Sequence, residues 1–171
     1  ARHAQALSGS RMTDSANLAT LKRLHAAFAV RDGATMAACY HADAHFRDPV
    51  FDLRGAEIGA MWRMLCSRSS DLRIESSGLV VEGDLGRADW QAWYSFSMTA
   101  RNVHNIVHSE YRFRDGLIVD QVDAFPFWRW SRQALGAAGL LLGWTPLLRD
   151  KVSAKAGKAL TQYMASGNGE R

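Results

Sequence analysis

The hydrophobic period of this chain changes near residue 72 and holds its new value through most of the later residues. Before that point apolar side chains recur every three or four residues: Leu18, Leu21, Leu24 and Phe28, then Met36, Ala37 and Tyr40, then Ile58, Met61, Trp62 and Leu65. That spacing lays one apolar stripe along a helix. After it, Ala88, Trp90, Ala92, Tyr94 and Phe96 alternate with their neighbours, as do Val103, Asn105, Val107, Ser109 and Tyr111. A repeat of two describes strands with one covered face, and neither pattern fits the other kind of element. Three amphipathic helices followed by long strands predict an α+β domain, with helices covering one side of an antiparallel sheet.

Local punctuation divides these stretches. Thr13, Asp14 and Ser15 are cap candidates for the first helix and Asp32-Gly33 closes it; a second helix is expected over 34–40 and a third over 55–67, ended by Ser69-Ser70-Asp71. Pro49 biases Asp48 away from helix. Ser76-Ser77-Gly78 suggests a bulge, Glu82-Gly83-Asp84 a turn, and Asp115-Gly116 a hairpin before the last strand, 117–125. Beyond Pro126 come Phe127, Trp128 and Trp130, an apolar stretch, and a basic helix over 148–164. Its Lys151, Lys155 and Lys158 oppose Val152, Ala156 and Tyr163, which reads as a solvated lysine face over a docked apolar one, the alternative being a face that lies on an anionic surface. The expected division is a disordered or vector-derived tail over 1–14, a main domain over 15–127 and a helical extension over 128–171.

Composition narrows the function. With 171 residues, 47% hydrophobic, six tryptophans and seven phenylalanines, the chain supports one packed domain. Cys39 and Cys66 form no C-x-x-C pair, so neither a disulfide framework nor a zinc site is indicated, and a reducing cytoplasm is the expected compartment. The net charge of +4 is dispersed apart from the late lysines, and nucleic acid is not implied. The longest apolar stretch, 137–144, falls far short of the roughly 20 residues of a membrane span. No glycine-rich phosphate loop, G-x-S-x-G elbow or Cys/His nucleophile pair is present. His104 and His108 share a strand face, and His41 and His45 straddle a helix end, but no spacing supplies a third ligand, so no metal and no cofactor are expected.

Three stretches carry a family likeness: Arg31-Asp32-Gly33, the run Tyr40-His41-Ala42-Asp43-Ala44-His45-Phe46-Arg47-Asp48-Pro49-Val50, and Tyr111-Arg112-Phe113-Arg114-Asp115-Gly116-Leu117-Ile118-Val119. Together with the element order they resemble the nuclear transport factor 2-like superfamily, more narrowly its SnoaL-like branch, over 18–127. The resemblance implies a curved sheet wrapped by the three N-terminal helices into a cone with an internal apolar pocket. It also implies a homodimer through the outer sheet face. It does not imply one reaction, since the fold hosts isomerases, cyclases, epoxide hydrolases and proteins without catalysis. Asp48 falls where the ketosteroid isomerases carry their general base, whereas Leu24 and Ser109 stand where those enzymes place oxyanion donors. Arg87-Ala88-Asp89 is similar to the Arg-x-Asp segment of limonene-epoxide hydrolases, and Asp123 matches their second aspartate. The alternative for Arg87 and Asp89 is a solvent-exposed ion pair.

Two functions are expected on these grounds. One is a cofactor-free isomerase, cyclase or epoxide hydrolase acting on a small apolar molecule, with Asp48 and Asp123 as catalytic acid and base. The other is a non-catalytic ligand-binding or dimerisation module. Phe28, Trp62, Trp90, His108, Ser109 and Tyr111 are the expected ligand-binding residues. Because His108 and Ser109 are adjacent on a strand, only one of them lines the pocket.

Overall fold

The computed structural model describes residues 2–168, with side chains from 14 to 167. Helix α1 (Arg2–Ala29) leads to the short α2 (Gly33–Ala37), the strands β1 (Tyr40–Arg47) and β2 (Asp52–Arg54), and α3 (Ala56–Arg68). Then come β3 (Arg73–Glu82), β4 (Leu85–Phe96), β5 (Arg101–Arg114) and β6 (Leu117–Ala124). The extension holds α4 (Phe127–Leu135), α5 (Ala137–Leu142) and α6 (Pro146–Tyr163). Since α1 runs straight through Thr13, Asp14 and Ser15, these residues do not cap it. Asp14 instead accepts a hydrogen bond from the Gly83 amide at 3.0 Å.

Among the described residues the sheet has six strands in the order β2-β1-β6-β5-β4-β3. It is mixed rather than antiparallel throughout, because β1 lies parallel to β6. Those two strands are far apart in sequence and are not joined by a hairpin, so nothing in a local turn dictates their direction. The hairpins obey their turn residues: Asp115 and Gly116 both take positive φ between β5 and β6, and the Ser77/Val80 register shift places a bulge at Gly78.

Alternation decides what each strand contributes. In β5, Val103, Asn105, Val107, Ser109, Tyr111 and Phe113 are buried, while every other residue from Ile106 to Arg114 is exposed. The covered face packs on the apolar stripes of α1, α2 and α3 in one core that includes Leu21, Leu24, Phe28, Met36, Phe46, Ile58, Trp62 and Trp90. Besides the Asp14 contact, two more side-chain bonds tie α1 to the hairpin tips, Asn17 Nδ2 to the Gly83 carbonyl at 2.9 Å and Thr20 Oγ1 to the Gly116 carbonyl at 2.6 Å. A second cluster, formed by Val103 with Phe127, Trp130 and Ala134 of α4, packs against Val50, Tyr94 and Phe125. The C-terminal extension therefore covers the end of the sheet where β1 runs out into the Asp48 loop. No helix among the described residues is long and apolar enough to cross a membrane.

Candidate active site

Strand register assembles the site. Ser109 stands opposite Asp123, and Tyr111 opposite Gln121, all four on the covered face. Asp123 is only 4% exposed. Two donors converge on its Oδ1: Ser109 Oγ at 2.6 Å and Gln121 Nε2 at 2.8 Å. Behind Ser109, Trp90 Nε1 donates to its hydroxyl at 2.8 Å. Behind Gln121, Tyr40 donates to Oε1 at 2.5 Å and itself accepts from Trp62 Nε1 at 2.9 Å.

The direction of this network is fixed by chemistry. An indole N–H can only donate, so Trp90 forces Ser109 to pass its own proton toward Asp123, and Trp62 does the same to Tyr40. Gln121 must then accept from Tyr40 and present its amide to the carboxyl. Both chains thus end on one oxygen, and a proton held by Asp123 sits on Oδ2. Burial is the main force on this group and pushes its carboxyl up to about 7; the nearby Asp48 charge adds to the rise, while the Ser109 and Gln121 donors work against it.

Asp48 is half-buried in the loop between β1 and β2. Its Oδ1 accepts from the amides of Val50 at 2.7 Å and Phe51 at 2.6 Å, the local turn that an Asp-Pro step favours. Loss of hydration raises its carboxyl to about 6 against the pull of those two amides. Its charge reaches both Asp123 and Tyr94, raising each. Tyr94 Oη in turn accepts from Trp130 Nε1 of α4 at 2.8 Å, so the extension is part of the wall beside Asp48.

The aromatic residues expected at the ligand site do meet. Phe28 packs edge-on against Trp62 at 5.1 Å and Trp90 at 5.2 Å between ring centroids. With Leu24, His25, Met36, Tyr111 and Gln121 they line an internal cavity of about 10 Å³. A volume of that size holds about one water molecule, so the interior is closely packed rather than deeply hollow. His25 spans the cavity wall, its Nδ1 2.8 Å from Ser76 Oγ and its Nε2 3.0 Å from Tyr111 Oη; burial lowers it to about 4 and keeps the ring neutral near pH 7.

Two expectations are corrected by these positions. His108 does not reach the interior: β5 alternation turns it to the outer face, where it is 47% exposed and pairs with Asp89 at 2.7 Å. Ser109 is the inward member of the pair. Arg87 and Asp89 are exposed on that same outer face, so they form no bridged pair with the buried Asp123. Three residues of the site were not picked from the sequence. Gln121 shares the covered face with Asp123 at a spacing of two, a signal that was available. His25 beside Leu24 lies within the α1 stripe, whereas nothing local marks Tyr40 as a partner of Gln121.

Helices packed on one face of an unclosed six-stranded sheet give the fold of the nuclear transport factor 2-like proteins. Residues 21–121 match the model of the SnoaL-like domain, and the chain belongs to that family. No functionally curated protein matches the sequence. Among solved structures, it is similar to an LEH-like epoxide hydrolase of M. tuberculosis, with a TM-score of 0.60 and 16% identity over 75% of this chain and 94% of that one. It is also similar to a protein of ketosteroid isomerase-like fold from Catenulispora acidiphila DSM 44928, solved with trimethylamine (TM-score 0.61, 15% identity, 74% and 97% covered). A candidate SnoaL-like polyketide cyclase from Jannaschia sp. CCS1 gives a TM-score of 0.63 at 12% identity, covering 72% and 94%. Identities this low carry the fold and leave the reaction to the site.

Proposed function

We propose that this protein binds a small apolar carbonyl or epoxide compound in its interior and acts on it by carboxylate acid-base catalysis without a cofactor. The observation that carries this reading is Asp123, a buried carboxyl aligned on a single oxygen by two donor chains that begin at Trp90 and Trp62. Near neutral pH a group at about 7 is divided between acid and carboxylate, and one at about 6 is mostly carboxylate. Asp48 then suits the base, taking a proton from an activated carbon or from water. Asp123 suits the acid, giving the proton on Oδ2 to the substrate oxygen. Steroid isomerisation is not the chemistry we favour, since Leu24 borders the cavity where those isomerases place a tyrosine and Ser109 is committed to Asp123.

A second reading, a non-catalytic ligand-binding or dimerisation module, is favoured by the small interior volume. An organic substrate enters the 10 Å³ cavity only if Phe28, Trp62 or Trp90 swings aside. The two readings separate when Asp48→Asn and Asp123→Asn are compared with the wild type over a panel of hydrophobic ketones and epoxides. Turnover lost with affinity kept supports catalysis. A wild type that binds and never turns over leaves the module.

We further propose a homodimer through the outer sheet face. An open groove of about 470 Å³ there, bordered by Arg87, His108, Glu110 and Arg112, lies beside the exposed Leu85. A sedimentation mass of one chain refutes it. The two buried free thiols, Cys39 and Cys66, support a cytoplasmic location.

A further inference from the structure

The segment after α4 is built inside out. Helix α5 meets α4 through glycine: a Cβ on Gly139 would lie 1.8 Å from the Ser131 carbonyl oxygen, and one on Gly143 would lie 2.1 Å from Ser131 Oγ. No larger residue fits that contact. With the inward face given to glycine, the helical period turns Leu140, Leu141 and Leu142 outward, where they are 48%, 67% and 47% exposed. Trp144 at 73% and Leu147 at 61% extend the same stretch. Single exposed leucines are ordinary on a protein surface, but a continuous run of them with a tryptophan marks an interaction surface.

Charge says what covers it. Residues 125–171 hold seven of the chain's 21 lysines and arginines but two of its 17 acids, and no acid lies between Asp123 and Asp150. The cations are placed at the patch. Arg132 lies 4.7 Å over the Trp128 ring, whose Nε1 donates to the Leu140 carbonyl at 3.2 Å. Arg149 lies 5.4 Å over Phe127, and Lys151 comes two residues later on the exposed side of α6. A second copy docked here would set these cations against their equivalents. An anionic lipid surface complements both the charge and the leucines, and tryptophan favours that boundary.

We propose that the patch over 137–149 docks the protein on an anionic membrane surface, with Leu140, Leu141, Leu142 and Trp144 seated in the interface and Arg132, Arg149 and Lys151 at the headgroups. The protein lies on the bilayer and does not span it. The patch is separate from the interior site, so the two proposals stand or fall independently.

The test is co-sedimentation of the full chain with vesicles of phosphatidylcholine alone and of phosphatidylcholine with about a quarter phosphatidylglycerol. The wild type is expected to bind the anionic vesicles and to be released by high salt. Leu141→Ser with Trp144→Ser is expected to lower binding at least about tenfold, because two inserted side chains lose their burial. Arg132→Gln with Arg149→Gln is expected to lower it by about fivefold for each cation. All four positions are exposed, and unchanged melting by circular dichroism shows that the variants fold. Wild-type binding no stronger to anionic than to neutral vesicles overturns the proposal, as does full binding by the Leu141/Trp144 variant. A lipid-free wild type that is dimeric, with a Leu141/Trp144 variant that is monomeric, overturns it in favour of a second copy.

Discussion

Replacing Asp123 by asparagine tests the burial of the acid without reference to any substrate. An asparagine whose Oδ1 takes the place of the carboxyl Oδ1 keeps both acceptances, from Ser109 and from Gln121, and its amide stands where the protonated Oδ2 stands. It therefore mimics the protonated acid and removes only the ionisation. In the wild type the carboxyl is raised from 3.8 to about 7, chiefly by burial. Below pH 3.8 it is protonated in folded and unfolded chains alike, and its full contribution to stability is present. As pH rises the unfolded chain ionises first, so stability falls until the folded carboxyl also ionises near 7. Roughly three pH units at about 1.4 kcal/mol each make the loss about 4 kcal/mol, a large part of the roughly 5–15 kcal/mol typical of a domain. Urea unfolding from about pH 4 to about pH 8.5 reads this directly. Asp123→Asn should be close to the wild type near pH 4 and more stable by about 2–4 kcal/mol near pH 8. The slope that remains combines Asp48, raised in the same direction, with His25, whose lowered value makes stability rise with pH between about 4 and 6.5. Equal slopes for variant and wild type between pH 4 and 7 refute the buried, ionisable Asp123.

Ser109→Ala removes a donor from Asp123 and leaves the Trp90 N–H without its acceptor, so it should cost about 1–3 kcal/mol. It should also move the Asp123 carboxyl upward in a carbon-13 titration, and an unchanged or lower midpoint counts against the donor role. Phe28→Ala empties a site wedged between Trp62 and Trp90 and should cost about 3–5 kcal/mol in urea unfolding while admitting an apolar fluorescent dye. A loss below about 1 kcal/mol would mean that the interior is already loose. His108→Ala, on the exposed outer face, should change stability by no more than about 0.5 kcal/mol and leave ligand affinity unaltered. A loss of ligand affinity would return His108 to the site.

The alternation of β5 and β4 was readable because a period of two needs no tertiary information to be seen. The sequence also marked three helices and the Asp115-Gly116 hairpin, since helical periodicity and turn chemistry act over a few neighbouring residues, but not their ends: α1 begins at Arg2 rather than Ser15, and Tyr40 opens β1 instead of closing α2. The interior position of Asp123 was weakly signalled: its neighbour Ala124 is exposed while the acid is buried, the reverse of what side-chain polarity alone suggests.

The tertiary structure decided which face of each alternating strand turns toward the helices and which distant groups then touch. Period two makes His108 and Ser109 opposites without saying which is inside. Packing against α1 and α3 chose Ser109, and register then set it against Asp123. The parallel pairing of β1 with β6 brings Tyr40 within reach of Gln121 across 81 positions of sequence. The volume left between Phe28, Trp62 and Trp90 depends on how side chains from separate elements interdigitate. Periodicity and turn preference are local energies and are written in the chain order. Facing, register and cavity size come from long-range close packing, which exists only once the elements have met.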